Sequence, residues 1–284
     1  MSRVKIVTDT AQDFTPDCLM DKGINVVPLT VHFGDDSFLD GFELRGKAFY
    51  DKLRQSPHHP STSQPSPAAF HEVFSRETED GSTVVAITLS SGLSGTFQSA
   101  VIAKAELPDR EIFLVDSQQA SGGQGLLVLA AQEMADAGKP ASDIIDEVTR
   151  MSSEMVTIFS VDTLDYLARN GRIGKAQHLL GSMLNMKPIL RLDKDGVVTA
   201  VDRVRGKGKV IPRILELIHE KIREGSLVDA VFVHADAPEE LRKLTESVSG
   251  AFRIRKCYET EIGAIIGTHT GPGTLAAFVV PAEK

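Results

Sequence analysis

Two hydroxyl-rich segments of the chain stand where a loop should meet a helix. The first is TSQPS at 62–66 and the second is LSSGLSGT at 89–96. The second segment begins at the last residue of the apolar run TVVAITL at 83–89. This run predicts a buried parallel strand, and a helix is predicted after the segment, at 97–105. A Gly- and Ser-rich turn between a strand and a helix leaves backbone N–H groups free at the helix N-terminus. The two segments therefore predict a hydroxyl-lined anion site, although the serines could instead serve only as helix caps.

Ser94 could act as a helix cap, as an anion ligand or as a nucleophile. The nucleophile elbow of hydrolases requires G-x-S-x-G. This chain has GLSGT at 92–96, in which the second glycine is shifted by one position, so the elbow is not matched. A serine hydrolase acting on acyl esters, with Ser94, His269 and Asp116 as its triad, nevertheless remains the alternative function.

Thr62 and His269 are the other polar residues whose surroundings suit ligand recognition. Prolines flank Thr62 on both sides and restrict its loop, predicted at 56–67, which lowers the entropic cost of presenting a hydroxyl. His269 lies in GTHTGPG at 267–273, where the glycines predict a tight loop just before the last strand. Its imidazole could donate to a carboxylate or an acyl phosphate, or act as a base.

A basic run follows a predicted strand and includes Arg203, Arg205, Lys207 and Lys209. It is either a solvated loop or a patch that attracts an acyl phosphate or an acidic partner surface. Arg172, in NGRI at 170–173, is a further cation whose role could be packing between domains.

Strands and helices alternate along the first half of the chain. Strands are predicted at 4–8, 24–29, 83–89 and 112–115, a hairpin is predicted around 34–36, and helices are predicted at 44–55, 67–77, 97–105, 122–137 and 141–153. This alternation predicts an α/β fold with a parallel sheet between two helical layers, of the flavodoxin-like type. Asp9, residues 90–96 and Asp116 all follow strand ends, so they should meet along one edge of the sheet.

The second half has a different pattern, typical of an α+β domain with a largely antiparallel sheet. Strands are predicted at 156–161, 187–192, 197–203, 228–234, 254–258 and 275–280, and helices at 163–169, 174–184 and 210–223. DKDG at 193–196 is a hairpin signal. We therefore predict two domains, 1–155 and 156–284.

Bulk properties limit the classes of partner. The chain has 284 residues, enough for two domains, and a net charge of −8, which disfavours nucleic acid. Cys18 and Cys257 form neither a disulfide framework nor a metal site, which fits a reducing cytoplasm. No run approaches the ~18 apolar residues of a membrane span, so we expect no stable membrane insertion. No nucleotide-binding fingerprint or metal cluster is visible, so no cofactor is predicted.

Six motifs in order carry a family resemblance. They are TSQPS, SSGLSGTFQSA, VDS at 115–117, GRI at 171–173, KPI at 187–189 and GTHTGPG. Together with IVTD at 6–9, this series resembles the DegV family of bacterial fatty-acid-binding proteins.

The resemblance implies a long-chain fatty acid, such as palmitate, in a tunnel between the two domains. It places the carboxylate on Thr62 and Ser94 and sets His269 and Arg205 near the head group. It implies a carrier without catalytic residues of its own, which presents the carboxyl group to a separate fatty acid kinase catalytic subunit. Where the family commonly continues the basic run, this chain has Gly206 and Gly208. A third interpretation is a structural or regulatory protein with a vestigial pocket.

Overall fold

A computed structural model describes residues 3–181 and 185–282 of the chain. The strands of these residues are β1 (Val4–Asp9), β2 (Asn25–Val27), β3 (Thr30–Phe33), β4 (Asp36–Leu39), β5 (Ser61–Ser63), β6 (Thr83–Thr88), β7 (Ile112–Asp116), β8 (Val156–Ser160), β9 (Met186–Leu192), β10 (Val198–Arg205), β11 (Leu227–His234), β12 (Arg253–Glu261) and β13 (Leu275–Pro281). The α-helices are α1 (Pro16–Met20), α2 (Gly46–Gln55), α3 (Pro67–Glu77), α4 (Thr96–Ala105), α5 (Ser121–Asp136), α6 (Ala141–Glu154), α7 (Asp165–Arg169), α8 (Val210–His219), α9 (Pro238–Ala251) and α10 (Ala264–Thr270).

The first half contains the predicted parallel sheet. Its four strands lie in the order β2-β1-β6-β7, and every neighbouring pair is parallel. β6 is buried along its whole length, as expected for a strand covered on both faces. The predicted hairpin pairs β3 with β4. The loop predicted at 56–67 is partly wrong, because β5 forms within it and pairs with β3, which places Thr62 opposite Val31.

The second half forms a six-stranded sheet in the order β10-β9-β8-β13-β11-β12. Only the β11–β12 pair is parallel, so the prediction of a largely antiparallel sheet is confirmed. The hairpin at DKDG joins β9 to β10. Of the helix predicted at 174–184, the structure has a 3-10 helix at Gly174–Leu179, and residues 182–184 lie outside the described residues.

α5 joins the two sheets. It packs on β1 and β6 on one side and on β11 on the other, and one apolar core runs through both halves. Gly122 allows this close approach, because a Cβ at that position would lie 2.5 Å from Val231 Cγ1 and 2.9 Å from Val233 Cγ1. The division into domains at 155/156 stays a prediction, although all four parallel strands precede residue 117 and the six-stranded sheet starts at Val156.

The tight loop predicted around His269 is wrong, because His269 lies in the last turn of α10. Ala264 and Ile265 bury their side chains and drive helix formation. Gly267 serves close packing rather than a turn, since a Cβ there would lie 2.7 Å from Phe49 Cε1. The helix ends at Gly271, whose φ of 73° is the left-handed conformation that glycine adopts easily.

Two buried aspartates of the first half fasten the start of α10. Asp13 Oδ1 accepts a hydrogen bond from the Gly263 N–H (2.9 Å), and its other carboxyl oxygen accepts from Ser121 Oγ. Asp40 Oδ1 accepts from the Ala264 N–H (2.9 Å). Burial raises the pKa of Asp13 to about 8 and the pKa of Asp40 to about 7.

These two shifts contribute stability that is lost as pH rises. The ordinary pKa of an Asp is 3.8, so between pH ~4 and ~8 these two carboxyl groups bind more protons in the folded state than in the unfolded state. Asp13→Asn removes one of these groups and suits the left-handed φ of 66° at this position. Over this pH window we expect the free energy of unfolding of the variant to fall less steeply than that of the wild type, by up to about 1.4 kcal/mol per pH unit.

Urea unfolding of the Asp13→Asn variant at pH 5, 6, 7 and 8 measures this difference. Asp109→Asn, in an exposed loop, is the matched control and should follow the wild type. Parallel stability curves for wild type and Asp13→Asn would contradict the prediction.

Candidate ligand-binding cavity

A cavity of about 340 Å³ lies between the two halves of the chain. Its walls are mainly apolar, and both halves contribute to them. Leu29, Leu89 and Leu93 line it from the first half, and Phe159, Ile265 and Phe278 line it from the second. Small-molecule sites are typically concave, mostly apolar and of this size, with a few polar groups that fix orientation.

The polar residues Thr62, Ser94, Arg172 and His269 line the same cavity. Direct contacts group them together. Thr62 Oγ1 lies 2.9 Å from His269 Nε2, and Arg172 Nε donates to the carbonyl oxygen of Leu93 (3.2 Å), the neighbour of Ser94. The residues come from β5, from the turn before α4, from the turn after α7 and from α10. The positive charge of Arg172 also acts on His269, so the two pairs form one polar cluster, which we call the polar end of the cavity.

His269 is held in its neutral form. Burial, together with the positive charge of Arg172 and the nearby His59, lowers the pKa of this imidazole to about 4. Nδ1 of His269 is buried and has no hydrogen-bond partner among the described residues. An orphaned buried N–H is rarer than an under-used acceptor, so the ring hydrogen belongs on Nε2, where it is donated to Thr62 Oγ1. The hydroxyl hydrogen of Thr62 then remains available to donate to a ligand.

The backbone of the Ser90–Thr96 turn is less open than the sequence predicts. The Ser91 N–H donates to Asp116 Oδ1 (3.1 Å), and the N–H groups of Leu93 and Ser94 donate to the Ser90 carbonyl (3.0 and 3.2 Å). The expected cradle of several free N–H groups is therefore wrong for this part of the turn. Ser94 presents a hydroxyl, whose Oγ lies 2.9 Å from Thr96 Oγ1.

The predicted clustering at the edge of the parallel sheet is confirmed. Asp9 Oδ2 accepts from the Leu89 N–H (2.8 Å), and Asp116 Oδ2 accepts from Ser91 Oγ (2.5 Å). These two carboxylates hold the turn that carries Ser94 by its backbone and by Ser91. Their role here is to shape the turn.

Other hydroxyls that line the cavity already donate hydrogen bonds to protein groups. Thr157 Oγ1 donates to Gln119 Oε1 (2.7 Å), and Thr274 Oγ1 is bonded to the carbonyls of Gly271 (2.8 Å) and Thr270 (3.1 Å). Because their hydroxyl hydrogens are donated to these protein acceptors, the two threonines have no hydroxyl hydrogen to offer a ligand. Sequence patterns did not identify them, since their partners are set by tertiary structure.

The alternative triad is not assembled. His269 Nε2 is hydrogen-bonded to Thr62, Ser94 Oγ lies beside Thr96 Oγ1, and Asp116 accepts a hydrogen bond from Ser91. A working triad requires the base to reach the nucleophile and to be oriented by the carboxylate. The geometry does not favour a serine hydrolase.

Arg205 is not among the described residues that line the cavity. It is exposed at the end of the edge strand β10, in register with Met186. Lys207, in the same basic run, is paired with Glu240 at 2.6 Å. The guanidinium that reaches the cavity is that of Arg172, which the sequence had offered only as a packing residue.

No helix among the described residues is long and apolar enough to cross a membrane. Within the same residues, no group of three or more His, Cys, Asp or Glu side chains could hold a metal ion.

Comparison with known proteins agrees with this architecture. The model of the DegV family, described as "Uncharacterised protein, DegV family", matches residues 3–282. The chain therefore belongs to the DegV family.

Three solved structures illustrate the similarity. A Thermus thermophilus DegV family protein, described with fatty acid binding, is 36% identical, with a TM-score of 0.90 over 99% of this chain and 100% of that chain. DegV of Bacillus subtilis, described as a fatty acid binding protein, is 32% identical, with a TM-score of 0.89 over 99% and 100%. A stearic acid-binding protein of Eubacterium ventriosum is 26% identical, with a TM-score of 0.85 over 99% and 98%.

Proposed function

We propose that this protein binds one long-chain fatty acid, such as palmitate, in the cavity between its two halves. The single observation that carries the proposal is an apolar cavity with one polar end, built from Thr62, Ser94, Arg172 and His269. The similar proteins from Thermus thermophilus and Bacillus subtilis, which are described as fatty acid binding, support the same ligand class.

The acyl chain would supply most of the affinity. Each buried CH₂ contributes about 0.8 kcal/mol, so the roughly 14 methylenes of palmitate contribute on the order of 11 kcal/mol before the costs of association. The polar end then needs only to orient the molecule and to satisfy the carboxylate.

The carboxylate would accept hydrogen bonds from the hydroxyls of Thr62 and Ser94. Neutral His269 fixes the direction of the Thr62 hydroxyl by donating to its oxygen, and Arg172 supplies positive charge at the same end of the cavity. A charge-assisted hydrogen bond of this kind contributes about 1.5–3 kcal/mol.

We further propose that the bound acid is presented to a partner kinase in the cytoplasm. A carboxylate oxygen of the acid would attack the γ-phosphorus of ATP on the kinase, the bond to ADP would break, and an acyl phosphate would form. The binding protein supplies no nucleophile or base of its own. The exposed, unpaired Cys18 and Cys257 are compatible with a reducing compartment.

Kinase reconstitution tests this function. The purified protein, incubated with palmitate, ATP and magnesium, should form acyl phosphate only after a fatty acid kinase catalytic subunit is added. Ester hydrolysis by the protein alone, abolished by Ser94→Ala, would overturn the proposal in favour of a hydrolase.

Arg205 is expected to act on the partner rather than on the carboxylate, because it lies on an exposed edge strand outside the cavity lining. Arg205→Gln should leave palmitate affinity unchanged and slow acyl phosphate formation by roughly ten- to a hundredfold, the effect of one charge-assisted contact. Arg253→Gln, on β12 at the opposite edge of the six-stranded sheet, is the matched control. Equal losses of binding and transfer in Arg205→Gln would contradict this role.

A further inference from the structure

We propose that Asn170 is a positioning residue that holds together the three segments of the polar end. This inference rests on the proposed function, because it assigns a role in carboxylate recognition. It concerns the turn at 170–172, which contacts Leu93 next to Ser94, Thr268 next to His269, and His59 three residues before Thr62.

The end of α7 fixes this turn. The Gly171 N–H donates to the Ala168 carbonyl (3.1 Å), and the Arg172 N–H donates to the Leu167 carbonyl (2.8 Å). Gly171 has a φ of 67°, the left-handed conformation that commonly ends helices. Leu167 is buried and lines the cavity, so the turn is attached to the cavity wall.

The side chain of Asn170 reaches two segments from this fixed position. Its Nδ2 donates one hydrogen to the Thr268 carbonyl (3.1 Å), next to His269, and the Tyr166 carbonyl lies farther from the same nitrogen, at 3.3 Å. The same nitrogen lies 3.1 Å from Nε2 of His59, three residues before Thr62. Asn170 therefore links α10 to the segment that leads into β5.

The third segment is reached through the backbone of Asn170. Arg172 Nη1 donates to the Asn170 carbonyl (2.7 Å), while Arg172 Nε donates to the Leu93 carbonyl (3.2 Å). The guanidinium is thus oriented by Asn170 and anchors the turn that carries Ser94. One side chain and its own carbonyl connect all three segments.

Tyr166 reinforces the arrangement from α7. Its ring lies 5.6 Å from the ring of His59, and a Cβ at Gly271 would overlap it, so the end of α10 packs directly against this ring. The hydrogen bonds of Asn170 set the alignment of elements that are already in contact. The groups of a recognition site must be held within about 0.5 Å of their working positions, so a larger shift of α10 would disturb carboxylate recognition.

The test uses Asn170→Leu, which keeps the approximate size of the side chain and adds no charge. We expect palmitate affinity to fall about tenfold, as for the loss of one or two hydrogen bonds, while hexadecanol affinity stays unchanged. In the Thr62→Ala/Ser94→Ala background, the additional effect of Asn170→Leu should vanish, because coupled residues are not additive. Asn25→Leu, on β2 outside the cavity lining, is the matched control.

A second variant keeps the test decisive if Asn170→Leu does not fold. His59→Phe retains an aromatic ring beside Tyr166 but removes the nitrogen that faces Asn170, and should weaken palmitate binding several-fold by the same coupling. Equal losses for palmitate and hexadecanol, a full loss that persists in the double-alanine background, or unchanged palmitate affinity would overturn the role of Asn170. If wild-type protein binds hexadecanol but not palmitate, it is the proposed function that fails, and this inference with it.

Discussion

Replacing Thr62 and Ser94 together with alanine should weaken palmitate binding by about 3–5 kcal/mol, which is roughly two to four powers of ten in Kd. Each single alanine variant should lose about 1.5–3 kcal/mol, because each removes a hydroxyl that donates to a charged oxygen. The sum need not be strictly additive, since both hydroxyls serve the same carboxylate.

Titration of lipid-free protein with palmitate measures the effect of the double substitution. Thr157→Val is the matched control: its hydroxyl also lines the cavity but is committed to Gln119. We expect this control to change stability more than affinity. Wild-type affinity in the Thr62→Ala/Ser94→Ala variant would show that the carboxylate lies elsewhere.

The second large effect is expected from filling the cavity at Ala276. This residue lies on the face of β8, β13 and β11 that we call the floor of the cavity. Ala276 on β13 pairs with Phe159 on β8 and with Val233 on β11, and all three line the cavity. A small residue thus lies between two larger ones on the face that meets the acyl chain. Ala276→Phe should displace about four methylenes and cost on the order of 3 kcal/mol of palmitate affinity.

A graded series sharpens this prediction. Ala276→Val, Ala276→Leu and Ala276→Phe should weaken binding progressively, and the protein should stay folded because the added atoms enter an existing cavity. Ala277→Val is the matched control, since the next residue on a strand points to the opposite face and Ala277 packs in the core under α8 and α9. It should lower stability without changing palmitate affinity. Unaltered palmitate binding by Ala276→Phe would exclude this floor from the acyl site.

The sequence predicts the two sheets well because their signals are local. Alternation of apolar strands with helices indicates the parallel sheet, and GDD and DKDG mark the two hairpins. Local sequence patterns mislead where the role of a residue depends on contacts with residues distant in sequence. Gly267 suggests a loop, but in the structure it allows α10 to pack against Phe49.

The site is only partly predictable, for the same reason. Thr62, Ser94 and His269 stand out by composition and motif, and the structure brings all three to one cavity. The contact between Thr62 and His269 spans 207 residues of sequence, and no local pattern encodes it. Arg172 and Arg205 are both arginines beside glycines, and only the fold distinguishes the one at the cavity from the one on the edge strand.

Native mass spectrometry of protein purified from cells tests the central claim most directly. We predict a mass increase equal to one C16 to C18 fatty acid per chain, which disappears on extraction with organic solvent and returns when palmitate is added. A bare chain mass that does not change after incubation with palmitate would contradict the assignment of the cavity to a long-chain fatty acid.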